Sequence, residues 1–456
     1  MKIFKPTIIL FLFIFITTSG FGCKGSDKAV KEFKPVTLEY WGVWDTEEQL
    51  EYLIKDFEKS HPAIKIKYRN FNYDEYEREL LEAWADDRGP DLFLIPITWL
   101  REYQRRLEPI PKIVKIPTVE VTGTIKKETI TVMKEYNTTS LRDLKKRFVE
   151  TVYDDVILDN KIYGMPYYLD TLVTIYNEDI LTISGIPEPI EDFHDLIDQA
   201  PKLTKVDLEG NILQSAVALG TADNIPRFFD ILFSIMMLNG VNLNPFYPQD
   251  EQLEKFVQTL SFYMDFTQPG KASYSWSENL PNAFEQFING KLAYFFGYNY
   301  HADELRRRGV QFDWGLVNFP QTRGSEGTKY YAHYWVNVVA KKSKNTQIAW
   351  SFIDATANQK VVEKYLNINK KPTALKGLID KQLQDDDIYI FTSQVLTADN
   401  WYKGYDIKTA EKYTADLIND ILSGEISLNN DIKVLEEILN VFFQRINNTY
   451  NNKYEK

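Results

Sequence analysis

The 456-residue chain has a single cysteine, Cys23. No intramolecular disulfide can form, and metal sites built on thiolate clusters are excluded. Histidine is nearly as scarce. His61, His194, His301 and His333 are the whole set, scattered and without H-x-x-x-H spacing, so no metal or other cofactor is expected. Positive charge is short: 53 Lys and Arg stand against 65 Asp and Glu, a net −12. A nucleic-acid partner, which needs basic surface, is not expected, nor is adhesion to anionic lipid through net charge alone. The apolar run Ile8–Ile16 has only nine residues, against about 20 for a bilayer-spanning helix. G-x-S-x-G, Walker A, H-E-x-x-H and the Rossmann glycine fingerprint are all missing. With 65 carboxylates, composition alone does not exclude a glycosidase pair, but no motif singles one out. Repeats of fixed period and low-complexity tracts are lacking too.

Aromatic side chains, by contrast, are abundant. The chain holds 28 Tyr, 28 Phe and 9 Trp, 14% in all. Its length exceeds what one core usually organises, so two domains are expected. Residues 1–22 read as an export leader: Lys2 and Lys5, the apolar run, then "TTSGFG" before Cys23. A lone cysteine at that place resembles a bacterial lipoprotein lipobox, here Gly20-Phe21-Gly22-Cys23, although Gly20 and Phe21 depart from its usual pattern. The resemblance implies lipidation of Cys23 and a cell-surface location, facing the extracellular or periplasmic side. An ordinary leader with an incidental cysteine is the alternative. The polar segment 24–35 reads as a tether.

From residue 36 strand and helix patterns alternate. "VTLEYWGVW" has strand character, and Leu50, Leu53, Ile54 and Phe57 recur at helical spacing behind a cap at Asp45 or Thr46. "IKIKY" alternates as a strand, "YDEYERELLEAWADDRG" is helical, and "DLFLIPI" is a short buried strand. That order predicts a parallel α/β sheet with its ligand at the carboxyl ends of the strands. "TVEVTGTIKKETITV" reads as a hairpin insertion. Residues 161–181 read as two strands joined by a crossing segment, and 190–300 as mostly helical. "LAYFFGY", "FDWGLVNFP" and "HYWVNVVAKKS" are predicted strands, and the tail is amphipathic helix.

Several of these landmarks, taken in order, resemble the sugar-binding extracellular solute-binding proteins of ABC importers, the group that includes maltose-binding proteins. They are "YWGVW", "SHPAIKIKY", "RGPDLFLI", "KIYGMPYYLDTLVTIYNEDIL", "FEQFINGKLAYFFGYNY", "AWSFIDATANQKVVEKYL" and "KKPTALKGL". The resemblance implies a two-lobed type 2 periplasmic-binding-protein fold, each lobe a mostly parallel sheet flanked by helices. It assigns 36–168 and 331–385 to the first lobe, and 169–330 and 386–456 to the second. It also implies hinge closure on a ligand, crossings at "YGMPYYLD", at "HYWVNVV" and after Pro372, a permease partner, a monomer and no catalysis.

A sugar site needs flat aromatic platforms and planar carboxylate or amide partners. Trp44 and Trp99 stand at strand ends and are candidate platforms, or else core. Trp335 is a third. The family places stacking residues where Tyr298, Tyr300 and Trp401 fall, and a polar contact where Asp170 falls; a hinge salt bridge or cap is the alternative for Asp170. Gly297 is expected to split the aromatic run 294–300. Tyr294 and Phe296 then pack the core, and Tyr298 and Tyr300 open onto the cleft. Trp84, Trp314 and Trp350 read as core. A peptide or amino-acid receptor, which wants an arginine for a carboxylate, is the competing reading. A glycoside-processing enzyme is a more remote one.

Overall fold

The computed structural model describes residues 35–122, 128–242, 248, 251–324 and 327–451. The leader, Cys23 and the tether through residue 34 lie outside them. Val36–Gly42 pairs in parallel with Ile64–Asn70, Val36 opposite Ile64 and Gly42 opposite Asn70. On its other side it pairs in parallel with Leu92–Pro96. Trp335–Val339 closes this sheet antiparallel to Leu92–Pro96. The helix Glu47–Ser60 covers the sheet. A capping box between Thr46 and Gln49 starts it, and it buries Leu50, Leu53 and Phe57, each stabilising by about 1.5–3 kcal/mol.

A second sheet has the order Lys205–Val206, Ile212–Val217, Leu292–Gly297, Val173–Asn177, Trp314–Asn318. Leu292–Gly297 runs through its middle and is buried along its whole length. Trp314 stands on the edge strand, half-buried rather than in the core, with the Arg306 guanidinium over its ring. The expected strand from His333 onward is two strands in two sheets: it breaks at Tyr334, and Tyr330–His333 belongs elsewhere.

Three short strands join the two halves. Asp170–Thr171 pairs antiparallel with Tyr330–His333, which pairs in parallel with Ala398–Asp399. The first leads through Leu172 into the second sheet, and the second leads through Tyr334 back into the first. A third segment lies alongside: the Leu169 N–H donates to the Pro372 carbonyl (3.1 Å), and Tyr168 bridges Thr373. Three crossings side by side form a natural flexing point, since short ladders bend while packed sheets do not.

The hairpin Ile113–Thr122 with Glu128–Asn137 is paired from Ile113 opposite Asn137 to Thr122 opposite Glu128. It rests on the helix Thr346–Thr356, where Gln347 accepts from the Lys115 N–H (3.0 Å). The tail helices Ile407–Leu422 and Ile432–Asn448 pack against the second half through Phe442 and Phe443 on Phe256.

Candidate functional site

The strand Val36–Gly42 ends at a turn that puts Trp44 at the carboxyl edge of the first sheet. Trp44 is half-buried and has three aromatic neighbours. It stacks on Tyr73 (5.5 Å, 27°), meets Trp335 edge-on (5.6 Å, 86°), and stacks on Tyr300 (5.4 Å, 22°). Tyr73 and Trp335 flank the first sheet; Tyr300 comes from the second. Trp99 joins at 6.3 Å from Trp335, with the Lys408 ammonium 5.3 Å over its own ring. Trp335 is 4% exposed, and its indole Nε1–H is buried without a hydrogen-bond partner. A buried orphan donor of this kind costs about 1–3 kcal/mol, so it marks a place where an acceptor is wanted.

The aromatic run does divide at Gly297. Leu292–Gly297 is strand, and Asn299–Arg308 is helix. Tyr298 is therefore a helix cap rather than a strand residue. It is fully buried, unlike the cleft-facing side chain expected from sequence. Its hydroxyl donates to Asp230 Oδ2 (2.6 Å), and its ring lies between Tyr300 (6.0 Å, 15°) and His333 (5.4 Å). Tyr298 thus supports Tyr300 from below.

Under these rings sits a charged cluster that the sequence did not announce. Arg227 binds Asp230 through Nε (2.7 Å) and its terminal nitrogen (2.6 Å), and lies 3.2 Å from His333 Nδ1. Burial, then the Arg227 charge, hold His333 well below the usual histidine range. It is neutral, and because arginine only donates, Nδ1 accepts and the proton sits on Nε2. Arg227 holds a left-handed backbone, φ +61°, a conformation costing about 1–3 kcal/mol. Glu411 reaches in from the helix Ile407–Leu422, its acid strength lowered by burial and partly restored by Arg227. Tyr73, Trp99, Arg227, His333, Trp335 and Glu411 face a cavity of about 40 Å³. Small-molecule sites measure roughly 300–1,000 Å³, so this cleft is shut. Trp44 and Tyr300 do not line it; their stack, one ring beyond Trp335, bridges the two halves and keeps them together, as do ion pairs of Lys408 with Glu77 and Lys371 with Asp303 (2.9 Å).

Asp170 lies at the crossing, 5% exposed. Its carboxylate accepts from the Asn299 N–H (3.1 and 2.9 Å) and the Thr171 N–H (2.9 Å), tying the crossing to the start of the helix Asn299–Arg308. Burial pushes its pKa up to about 7 against these donors and Lys371. His301, behind Tyr298, accepts the Tyr298 N–H and is pushed down to about 3 by burial and Arg227. Trp401 stands apart from the cluster. It is 2% exposed, face to face with Phe233 (4.0 Å, 7°) and against Phe229 (5.3 Å).

Trp44, Trp99, Tyr298, Tyr300 and Trp335 thus come together, Asp170 lies at the adjacent crossing, and Trp401 lies elsewhere. Sequence reasoning missed Tyr73, Arg227, Asp230 and Glu411. A tyrosine one residue after the cap Asn72, beyond a strand end, was a usable signal for Tyr73. Arg227 and Asp230 had none beyond the Pro226 that precedes them.

The profile of the bacterial extracellular solute-binding proteins matches residues 44–363. A galactooligosaccharide-binding protein of Bacillus subtilis is 19% identical over 381 residues, covering 83% of this chain and 82% of its own. Among solved structures, a Thermotoga lettingae ABC-transporter solute-binding protein bound with α-D-tagatose superposes with a TM-score of 0.67. It is 16% identical, over 91% of this chain and all of its own. The maltose-binding periplasmic protein of Listeria monocytogenes in complex with maltose gives 0.66 at 16% identity, over 92% of this chain and all of its own.

Proposed function

Because this chain belongs to the bacterial extracellular solute-binding proteins, we propose that it captures a mono- or oligosaccharide between its lobes and hands it to an ABC importer. The fold is the two-lobed type 2 periplasmic-binding-protein fold, and the protein is a binder, not an enzyme. The lobes divide as the sequence suggests, 36–168 with 331–385 and 169–330 with 386–456. Cys23, lipidated after removal of residues 1–22, holds the receptor at the cell surface.

One observation carries the sugar reading. Two half-buried rings from opposite lobes, Trp44 and Tyr300, lie nearly parallel at 5.4 Å, and Trp44 touches Trp335, whose indole N–H is free and which lines the small cavity together with Glu411. Parted by hinge opening, they offer two platforms for the C–H faces of a pyranose, with Trp335 and Glu411 for its hydroxyls. An amino acid or peptide would need an arginine for its carboxylate. Arg227 is the arginine in the cavity, and Asp230 already neutralises it.

A thermal-shift screen of sugars and amino acids tests this. A ligand at 100 times its Kd adds about 2.7 kcal/mol. Stabilisation by amino acids and by no sugar would overturn the carbohydrate assignment.

A further inference from the structure

A second, wider cavity shares no lining residue with the cleft. It is a groove of about 890 Å³ between the hairpin Ile113–Thr122 with Glu128–Asn137 and the body of the first sheet, lined among others by Lys59, His61, Tyr136, Thr139, Lys146 and Asp354. Lys59 and Lys146 are exposed and have no ion-pair partner among the described residues. Arg142, four residues before Lys146 on the helix Leu141–Arg147, is likewise exposed and in no close ion pair among the described residues, although its charge helps hold neighbouring Asp143 ionised. Lys112 is exposed on the rim, where its carbonyl accepts the Thr138 N–H (3.2 Å). Two carboxylates, Asp143 and Asp354, share the lining with Lys59, Lys146 and Arg147, and Asp143 is held ionised by Ser140 with Arg142 and Arg147 nearby, so the cations outnumber the acids without being unopposed. Asp143 caps its own helix through Ser140, and Asp354 binds Thr139.

The same end of the molecule receives the tether. The Val36 N–H donates to the Ala63 carbonyl (2.9 Å), two residues past His61. Only 12 residues separate Cys23 from Val36, a reach of about 40 Å at full extension. The cleft lies at the other end of the strand Val36–Gly42, about 20 Å away.

We propose that this basic face, Lys59, Lys112, Arg142 and Lys146 around the groove, is a docking surface for anionic lipid headgroups, which rests the receptor base-down with its cleft turned to the medium. The partner is set by charge complementarity and by the short tether, so the inference rests on lipidation of Cys23 for its geometry. The net −14 of the chain without its leader (51 Lys and Arg against 65 Asp and Glu once Lys2 and Lys5 are removed) does not prevent it. Charges beyond about 8 Å are screened at physiological salt, so a bilayer senses the local cations. Each lysine or arginine near an anionic surface strengthens binding about fivefold.

The test uses the mature chain from residue 24, without lipid, cosedimented at low salt with phosphatidylglycerol–phosphatidylcholine vesicles and with phosphatidylcholine alone. We expect binding to the anionic vesicles only, reversed by salt. The Lys59→Ala, Arg142→Ala, Lys146→Ala triple variant should weaken it about a hundredfold, with an unchanged melt. Sedimentation with neither vesicle, equal binding to both, or a triple variant that binds like the parent would overturn the proposal. Because this chain carries no lipid, those outcomes leave the Cys23 and sugar readings standing. Those fail separately, by retention of Cys23→Ser in membranes washed with high salt, which strips protein held by charge, and by the thermal-shift screen.

Discussion

Two pairs of stacked rings, one between the lobes and one in the tail, look alike on paper and do different work. Trp44 lies on Tyr300 at 5.4 Å, and Trp401 on Phe233 at 4.0 Å. Trp401 is closed in by Phe229 and Tyr402 as well, so its stack is interior packing. Trp44 keeps part of its surface, meets a ring from the other lobe, and stands near an orphan donor and a half-buried carboxylate. Stacking alone therefore does not mark a binding site; a ring whose partner can move away does. The largest effect that sharpens this contrast is Trp401→Ala. It should cost about 3–5 kcal/mol of folding stability, read in a denaturant melt, with sugar affinity by calorimetry unchanged. Affinity lost with stability retained would move Trp401 into the site.

The two regions also differ in what pH can do. Trp401 packs among Phe229, Phe233 and Tyr402, the last a phenol that burial pushes above its ordinary range, whereas the crossing beside the cleft buries Asp170, whose pKa of about 7 stands above the ordinary 3.8. A raised carboxylic acid keeps its proton longer in the folded state. Its contribution is fully present below pH 3.8 and is lost as pH rises through about 7. The size is about 4 kcal/mol as an upper figure. Asp170→Asn, which cannot titrate, should flatten the fall in stability between pH 4 and 7. Parallel pH profiles for variant and parent would show that Asp170 is not the source.

How much of this was legible follows from which forces leave a local trace. The first sheet was readable because strand and helix periods alternate over short distances, as in "IKIKY" and Leu50, Leu53, Phe57. The division at Gly297 was readable because glycine is a local event. The break at Tyr334 was not: "HYWVNVV" is uniformly strand-like, and only sheet pairing with Asp170–Thr171 on one side and Leu92–Pro96 on the other separates its halves. Trp401 is ambiguous from sequence because a tryptophan carries the same local signal as platform or as core. Arg227 and Asp230 are i,i+3 neighbours, but His333 and Glu411 reach that pair from well-separated stretches of the chain, and no spacing rule brings them there.

The lobe-to-lobe pair is broken most directly by Trp44→Ala. This removes one platform and the contact that bridges the two halves. The lost platform weakens binding, while the lost closed contact helps an entering ligand by sparing it the work of parting the rings. The platform dominates if Trp44 touches the sugar, so we expect affinity to fall about tenfold to a hundredfold, with a smaller loss of stability than Trp401→Ala. Tighter binding in the variant would mean that Trp44 acts as a plug and the sugar stacks elsewhere.

The smallest expected effect separates platform from hydrogen bond at one residue. Trp335→Phe keeps an aromatic ring beside Trp44 and Trp99 but deletes the buried Nε1–H. In the free protein that donor has no acceptor, so its removal relieves a penalty while the smaller ring gives up some packing. The two terms oppose, and the melting midpoint should move little. On the proposed carbohydrate reading the donor meets a sugar hydroxyl in the complex, and a neutral hydrogen bond is worth about 0.5–1.5 kcal/mol net. Affinity should therefore fall by up to about tenfold, entirely in binding and not in folding. Deoxy sugars should locate the hydroxyl involved, because the analogue lacking it binds parent and Trp335→Phe equally. If the variant binds every sugar as the parent does, Trp335 serves as floor alone and the orphan indole is a cost the closed cleft simply bears.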